Sequence, residues 1–228
     1  MVTVKETDIC VPLVKHLVSE NWEVYQEVVL GAYSGVADIV AVKKEERLAW
    51  IIEVKLSIGQ DLRYQLGARR YYSPYVAGAT PYPKRFTQKR KDFIEELATK
   101  GIGFYHVHDN GHVEVVQLPD PAKETNERRY GTKHFEDRYD RFFHLPEECK
   151  TFCLAGSAKG GYLTPFKITC MNIKNYVEEH PGCSLREAVL SIEHHYSSDD
   201  SAISSLYDRG VKGVEFRTCL FARNGDKT

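Results

Sequence analysis

Asp38, Glu53 and Lys55 are the residues of this chain whose types and spacing point to chemistry. GVADIVAV reads as a buried strand carrying Asp38, and AWIIEVK as a second apolar run broken only by Glu53 and Lys55. Residues two apart in a strand share a face, so the Glu53 carboxylate and the Lys55 ammonium emerge side by side. Two charges in so apolar a strand are costly unless something pairs with them. Two carboxylates and a lysine on neighbouring strands suit a divalent cation and a nearby water, the chemistry of metal-assisted phosphodiester hydrolysis. The competing reading is structural: Glu53 and Lys55 pair with each other, or with Asp38, at an exposed sheet edge. Isolated E-x-K triplets are common, so the surrounding elements decide between the two.

Residues Glu6 to Ser19 read as a helix, with Ile9, Leu13 and Leu17 recurring every four residues and Pro12 predicting a kink. WEVYQEVVL alternates as a strand, a turn at Tyr33-Ser34-Gly35 leads into the Asp38 strand, and KKEER is a hairpin loop into the Glu53 strand. DLRYQLGARRYY then reads as a helix, with Asp61, Gln65 and Arg69 on one face and Leu62 and Leu66 on another. TPYPK breaks it, and KRKDFIEELATKG gives a further helix ending at Gly101. GFYHVHDNGHVEVVQL reads as a hairpin around Asn110-Gly111. This order of helix, three strands, two helices and a hairpin predicts an α/β (α+β) domain over residues 1–118, a mixed central sheet flanked by helices.

Residues 119–165 are polar, charged and irregular, and read as a linker or insertion with little structure of its own. Residues 166–228 read as a small, mainly helical unit. Ile173 and Val177 mark a first helix, and Ser184 to Glu187 form a capping box opening a second on Leu185, Ala188, Val189 and Ile192. A third runs from Asp199 to Arg209, and VKGVEFRTCLF closes as a strand or hairpin. Three helices and a β-wing predict a winged-helix-like domain. Asp199, Asp200 and Asp208 on its third helix argue against strong DNA affinity there, so docking of a protein partner or dimerisation is nearly as good a reading.

The bulk properties are those of an ordinary globular chain of 228 residues, 42% hydrophobic and 28% charged. A net charge of -1 gives no global basic signal, so nucleic-acid affinity must come from local patches. No stretch approaches the length of a membrane span and the N-terminus lacks a signal-peptide layout, which predicts a cytoplasmic protein without a membrane partner. The six cysteines are scattered and read as reduced thiols. His144, Cys149 and Cys153 sketch a zinc site, but no fourth ligand stands at suitable spacing. His194-His195 reads as a helix-end pair in a polar turn rather than as ligands.

Asp38 followed by Glu53-Val54-Lys55 resembles the catalytic motif of the PD-(D/E)xK nuclease superfamily, the restriction-endonuclease-like fold. The run from ETDICVPLV through VADIVAV and IIEVKL to YQLGARRYY is similar to its resolvase and repair-nuclease branch. The resemblance covers residues 5 to about 118 and departs from the pattern at Ala37, where a Pro commonly precedes the Asp. It implies Mg²⁺, with Mn²⁺ as a substitute, held by Asp38, Glu53, the Val54 carbonyl and Glu6 of the first helix, with Asp8 as a neighbouring candidate. It implies Lys55 at the attacking water or the transition state, and Gln65 positioning the water or a phosphate oxygen. Glu27 on the first strand reads as a solvated residue rather than a further acid of the site.

Arg63, Arg69, Arg70, Lys84 and Arg85, interleaved with tyrosines, lie where a DNA duplex would meet them and suit contacts to the phosphate backbone. The alternative for the Lys84 to Lys91 cluster is a solvated helix face with i,i+4 charge pairs. The expected activity is therefore that of an Mg²⁺-dependent deoxyribonuclease, read as an endonuclease. Cutting both strands would favour a homodimer, since one site cuts one strand. The alternative is a non-catalytic DNA-binding or protein-interaction protein on a degenerate nuclease fold.

Overall fold

Helix α1 (Glu6–Ser19) forms where the four-residue apolar spacing places it, and it continues through Pro12. Its first turn is closed by Asp8, whose carboxylate accepts a hydrogen bond from the Lys5 N–H at 2.8 Å. Asp8 is thus a helix cap. The strands that follow are β1 (Glu23–Gly31), β2 (Gly35–Lys43) and β3 (Leu48–Val54). After helix α2 (Gln60–Arg69) come β4 (Tyr75–Pro81), helix α3 (Gln88–Thr99), β5 (Gly103–Val107) and β6 (Val113–Gln117). The computed structural model describes residues 4–31, 35–121, 132–151, 154–156 and 164–208. They divide into two units, residues 1–163 and 164–228.

The six strands form one mixed sheet in the order β1-β2-β3-β4-β5-β6. Pairing is antiparallel from β1 to β3, parallel from β3 through β5, and antiparallel again between β5 and β6. On one face α1 packs Ile9, Leu13 and Leu17 against Ile39, Ile52, Val54, Ala77 and Tyr105. On the other, α2 and α3 bring Leu62, Leu66, Phe93 and Leu97 onto Val76 and Phe104. The mixed sheet with flanking helices is therefore as the sequence predicts. Because β3, β4 and β5 run in the same direction, Lys55, Pro81 and Val107 all stand at one carboxyl edge of the sheet.

Two features depart from the expectation. The first is β4, a strand over YVAGATP, which the sequence leaves unassigned between the helix and the break at TPYPK. A central parallel strand is covered on both faces, so it carries a run of small apolar residues without alternation. Gly78 suits that packing, since a Cβ there would meet the Leu66 and Phe104 side chains at 3.3 Å, closer than most such contacts. The second is the segment read as a linker, which belongs to the first unit. It forms helix α4 (Thr132–Asp140) and two 3₁₀ turns, Arg141–His144 and Glu147–Lys150. These turns cover the β1 edge of the sheet, an edge that would otherwise offer unpaired backbone. The Arg141 guanidinium donates to the carbonyls of Val29 and Leu30. The Gln26 amide spans from the Lys150 carbonyl at 2.8 Å to the Ala155 N–H at 3.1 Å.

The second unit packs α5 (Pro165–Glu179), α6 (Leu185–Leu190) and α7 (Asp199–Asp208) around Ile173, Val177, Leu185, Val189 and Leu206. The capping box is present: Ser184 N–H donates to Glu187 at 2.7 Å, and Glu187 N–H donates to the Ser184 hydroxyl at 3.2 Å. The wing read over VKGVEFRTCLF lies outside the described residues. His194 engages Asp199 at 2.9 Å and His195 engages the Thr169 hydroxyl at 2.8 Å. Among the described residues no helix is long and apolar enough to cross a membrane.

Candidate active site

The β2–β3 ladder pairs Ile39 with Ile52, so one step along it Asp38 stands beside Glu53 on the same face. Glu53 has no solvent exposure, while Asp38 is half-buried. Asp38 Oδ2 accepts the Val54 N–H at 2.7 Å, which fixes its carboxylate across the strand pair. Val54, read as a carbonyl ligand, thus also holds Asp38 through its N–H. Lys55 lies just beyond β3, tied to β4 by its own N–H to the Ala79 carbonyl at 3.0 Å. Its Nζ reaches Glu6 Oε1 at 3.3 Å, so the first helix closes over the motif from its N-terminal end.

Arg69 is not where the sequence reading puts it. That reading has it facing a duplex, whereas its side chain is only 6% exposed and donates to Glu53 Oε1 and, at 2.7 Å, to the Val36 carbonyl. A buried carboxylate draws the nearest guanidinium inward, because an unpaired buried charge costs more than ordering a long side chain. Arg70 is also buried, with its guanidinium on the Lys100 carbonyl. Arg63 is half-buried over the Phe93 ring and bonded to Glu96 at 2.8 Å. Of the five basic residues read as DNA contacts, Lys84 and Arg85 are exposed.

Two acceptors in this region have no donor. Glu53 Oε2 and Gln65 Oε1 are both buried without a hydrogen-bond partner. Gln65 lies one helical turn before Arg69, so the two share the face of α2 from which Arg69 reaches Glu53. Glu27 belongs to the site as well. It is buried, its backbone has φ of 52°, and its Oε1 accepts the Gly156 N–H at 2.8 Å. Burial first, and then the Asp38 and Glu6 carboxylates, raise its pKa. A left-handed glutamate within a strand is uncommon, and such outliers gather at functional sites.

The electrostatics follow from crowding acids where water is scarce. Burial, and then Asp38, push Glu53 up to about 8 against the pull of Arg69. Burial raises Asp38 above the usual carboxylate range, although Lys55 and the Val54 N–H oppose it. Around Lys55, burial works against the charge, but Asp38, Glu6 and Glu53 outweigh it and hold the ammonium above its ordinary pKa. The Cys10 thiol, one turn along α1 from Glu6, is pushed up by burial and then by Asp38 and Glu6.

A pH dependence of stability follows. Glu53 titrates near 4.5 in an unfolded chain and near 8 in the fold. Between those values the unfolded chain binds fewer protons than the native one, so stability falls as pH rises across that window. Urea melts at successive pH values should show this slope in the wild type and lose it in Glu53→Gln. Parallel curves for the two proteins would contradict the assignment.

Comparison with known proteins adds one likeness. No protein-family model matches the chain, and no curated protein matches it. Among solved structures, the SPO1766 protein of unknown function from Silicibacter pomeroyi is similar at 15% identity with a TM-score of 0.38, covering 63% of this chain and 92% of that one.

Asp38 and Glu53 are the side chains that could hold a hard cation here. Mg²⁺ is commonly held by one or two carboxylates, with waters and substrate phosphates completing the shell. Asp38 and Glu53 are such a pair, and the orphaned Glu53 Oε2 is an acceptor that a cation would satisfy. Among the described residues no three His, Cys, Asp or Glu side chains gather to hold an ion. Glu6, expected as a third ligand, engages Lys55 instead. Of the residues considered for zinc, Cys149 is buried, His144 stands 3.5 Å from Asp140, and Cys153 lies outside the described residues.

Proposed function

We propose that this chain is a divalent-cation-dependent deoxyribonuclease of the PD-(D/E)xK kind. The observation that carries the reading is Glu53, a fully buried carboxylate beside Asp38 with one oxygen on Arg69 and the other without a partner. An unsatisfied buried acid is expensive. A bound cation would supply the partner that the second oxygen lacks.

When bound, Mg²⁺ or Mn²⁺ would acidify a water and offset charge growing on the scissile phosphate. Asp38 and Glu53 would hold it, each oriented by the protein: Asp38 through Val54 N–H and Glu53 through Arg69. Lys55 stays protonated through neutral pH among its carboxylates, so it serves as a fixed positive charge at the phosphate rather than as the base. Glu6 steadies that ammonium, and Gln65 offers a buried carbonyl oxygen to orient the attacking water. Lys84 and Arg85 would contact the DNA backbone without reading sequence.

One observation favours the non-catalytic alternative. Arg69 and Lys55 already neutralise part of the acid cluster, as they would in a site kept for structure. Titration calorimetry with Mn²⁺ separates the two readings. The wild type should bind the ion, and Asp38→Asn and Glu53→Gln should each lose most of that affinity. Mn²⁺ should also raise the melting temperature more at pH 8 than at pH 5, where protons compete for the carboxylates. No binding by the wild type would leave the non-catalytic reading standing.

A further inference from the structure

The carboxyl edge that carries Lys55 also carries a cluster of rings that the proposed hydrolysis does not use. Tyr82 leaves the end of β4 with its N–H on the Val107 carbonyl at 2.8 Å. Its ring stacks on His108, at the end of β5, with centroids 3.9 Å apart and planes inclined by 22°. Phe86 meets Tyr82 edge-on at 5.6 Å. The cluster rests on a buried floor. The buried His106 ring touches both Tyr82 and Phe86, and its Nε2 lies 3.0 Å from the buried Arg90 guanidinium, which also bonds the Thr80 hydroxyl at 3.0 Å.

These rings are nevertheless left open to solvent. Tyr82 is 39% exposed and Phe86 44%. Between them in sequence stand Lys84 and Arg85, both exposed, and Lys89 follows on the first turn of α3. The carboxylate that faces the cluster, Glu114, is engaged by His108 at 3.4 Å. Exposed aromatics flanked by cations, on a buried and hydrogen-bonded floor, form the combination that takes an unstacked base and its phosphates. The β3–β4 ladder pairs Val54 with Ala79, so Tyr82 starts one strand across from Lys55 and a few residues further on, on the order of 10 Å away.

We propose that Tyr82, with His108 and Phe86, is a stacking platform for an unpaired nucleobase. The substrate class is then DNA with a single-stranded stretch beside the cut. This rests on the nuclease reading for its substrate, but its test does not depend on cleavage. A duplex keeps its bases stacked on one another and offers only phosphates to Lys84 and Arg85. A single strand offers both.

The test is fluorescence anisotropy in EDTA, with a labelled oligothymidylate and a duplex of equal length. The wild type should bind the single strand more tightly than the duplex. Tyr82→Ala should weaken single-strand binding by about 10-fold and leave duplex binding unchanged, whereas Tyr82→Phe keeps the wild-type affinity. Lys84→Ala with Arg85→Ala should weaken both ligands and flatten the salt dependence for the single strand by about 0.7 per removed cation. Phe86→Ala serves as the second ring variant should Tyr82→Ala melt early. Equal affinity of wild type and both ring variants for the single strand overturns the platform, as does a wild type that prefers the duplex. A protein that binds single strands through Tyr82 but never cuts them keeps the platform and loses the nuclease reading. A protein that cuts, with Tyr82→Ala binding and cutting single strands as well as the wild type, loses only the platform.

Discussion

Lys55→Met is expected to slow DNA cleavage by about 10²- to 10³-fold, the usual cost of removing one preorganised charge from a transition state. It should not lower the affinity for Mn²⁺. The ammonium is held above its ordinary pKa by Asp38, Glu6 and Glu53, so at neutral pH it is a cation competing with the ion for the same acids. Its removal relieves that competition while taking away the charge that would meet the phosphate. Lys55→Arg keeps the charge and should recover part of the rate. Single-turnover cleavage rates beside Mn²⁺ titrations distinguish this role from general-base catalysis. A base would require Lys55 to lose its proton near the working pH, giving a rate that rises with pH and is lost in Lys55→Arg as fully as in Lys55→Met.

Above pH 8, where Glu53 is ionised, Arg69→Met is expected to destabilise the first unit by about 3 to 5 kcal/mol, the range for removing one partner of a buried ion pair. At 6% exposure the guanidinium is shielded from water, and its loss strips donors from Glu53 Oε1 and from the Val36 carbonyl. Lys in its place lacks the planar fork needed to serve both acceptors, so Arg69→Lys should rescue little. Combining Arg69→Met with Glu53→Leu should return most of the stability, because the acid left unpaired is gone. Urea unfolding of the single and double variants measures the coupling. If Arg69 faced DNA instead, the single variant would bind DNA weakly and unfold like the wild type.

Those two residues mark what could and could not be read along the chain. Asp38, Glu53 and Lys55 were legible because a charge in an apolar alternating strand stands out locally, and so were α1, α3 and the Asn110-Gly111 hairpin. Arg69 was misplaced because which way an arginine turns depends on a carboxylate 16 residues away in sequence, across a helix–sheet contact. Glu27 reads as solvated for a similar reason. Its burial depends on a left-handed backbone and on the Gly156 N–H, 129 residues on. The one local hint is Val28-Val29-Leu30, where the apolar alternation breaks beside it. β4 escaped because small residues on a doubly covered strand leave no period. The cover over the β1 edge escaped because side chains bonded to distant carbonyls hold it, in a segment whose composition alone reads as linker.

The proposed role of Asp38, Glu53 and Lys55 is to cut a phosphodiester. The most direct measurement is cleavage of plasmid, duplex, branched and single-stranded DNA by the purified chain in Mg²⁺, Mn²⁺ or EDTA, beside Asp38→Ala. The expected result is cutting in either metal, none in EDTA, and none by Asp38→Ala in any condition. Cleavage that survives EDTA or Asp38→Ala, or a wild type that binds Mn²⁺ and cuts none of these substrates, would contradict it.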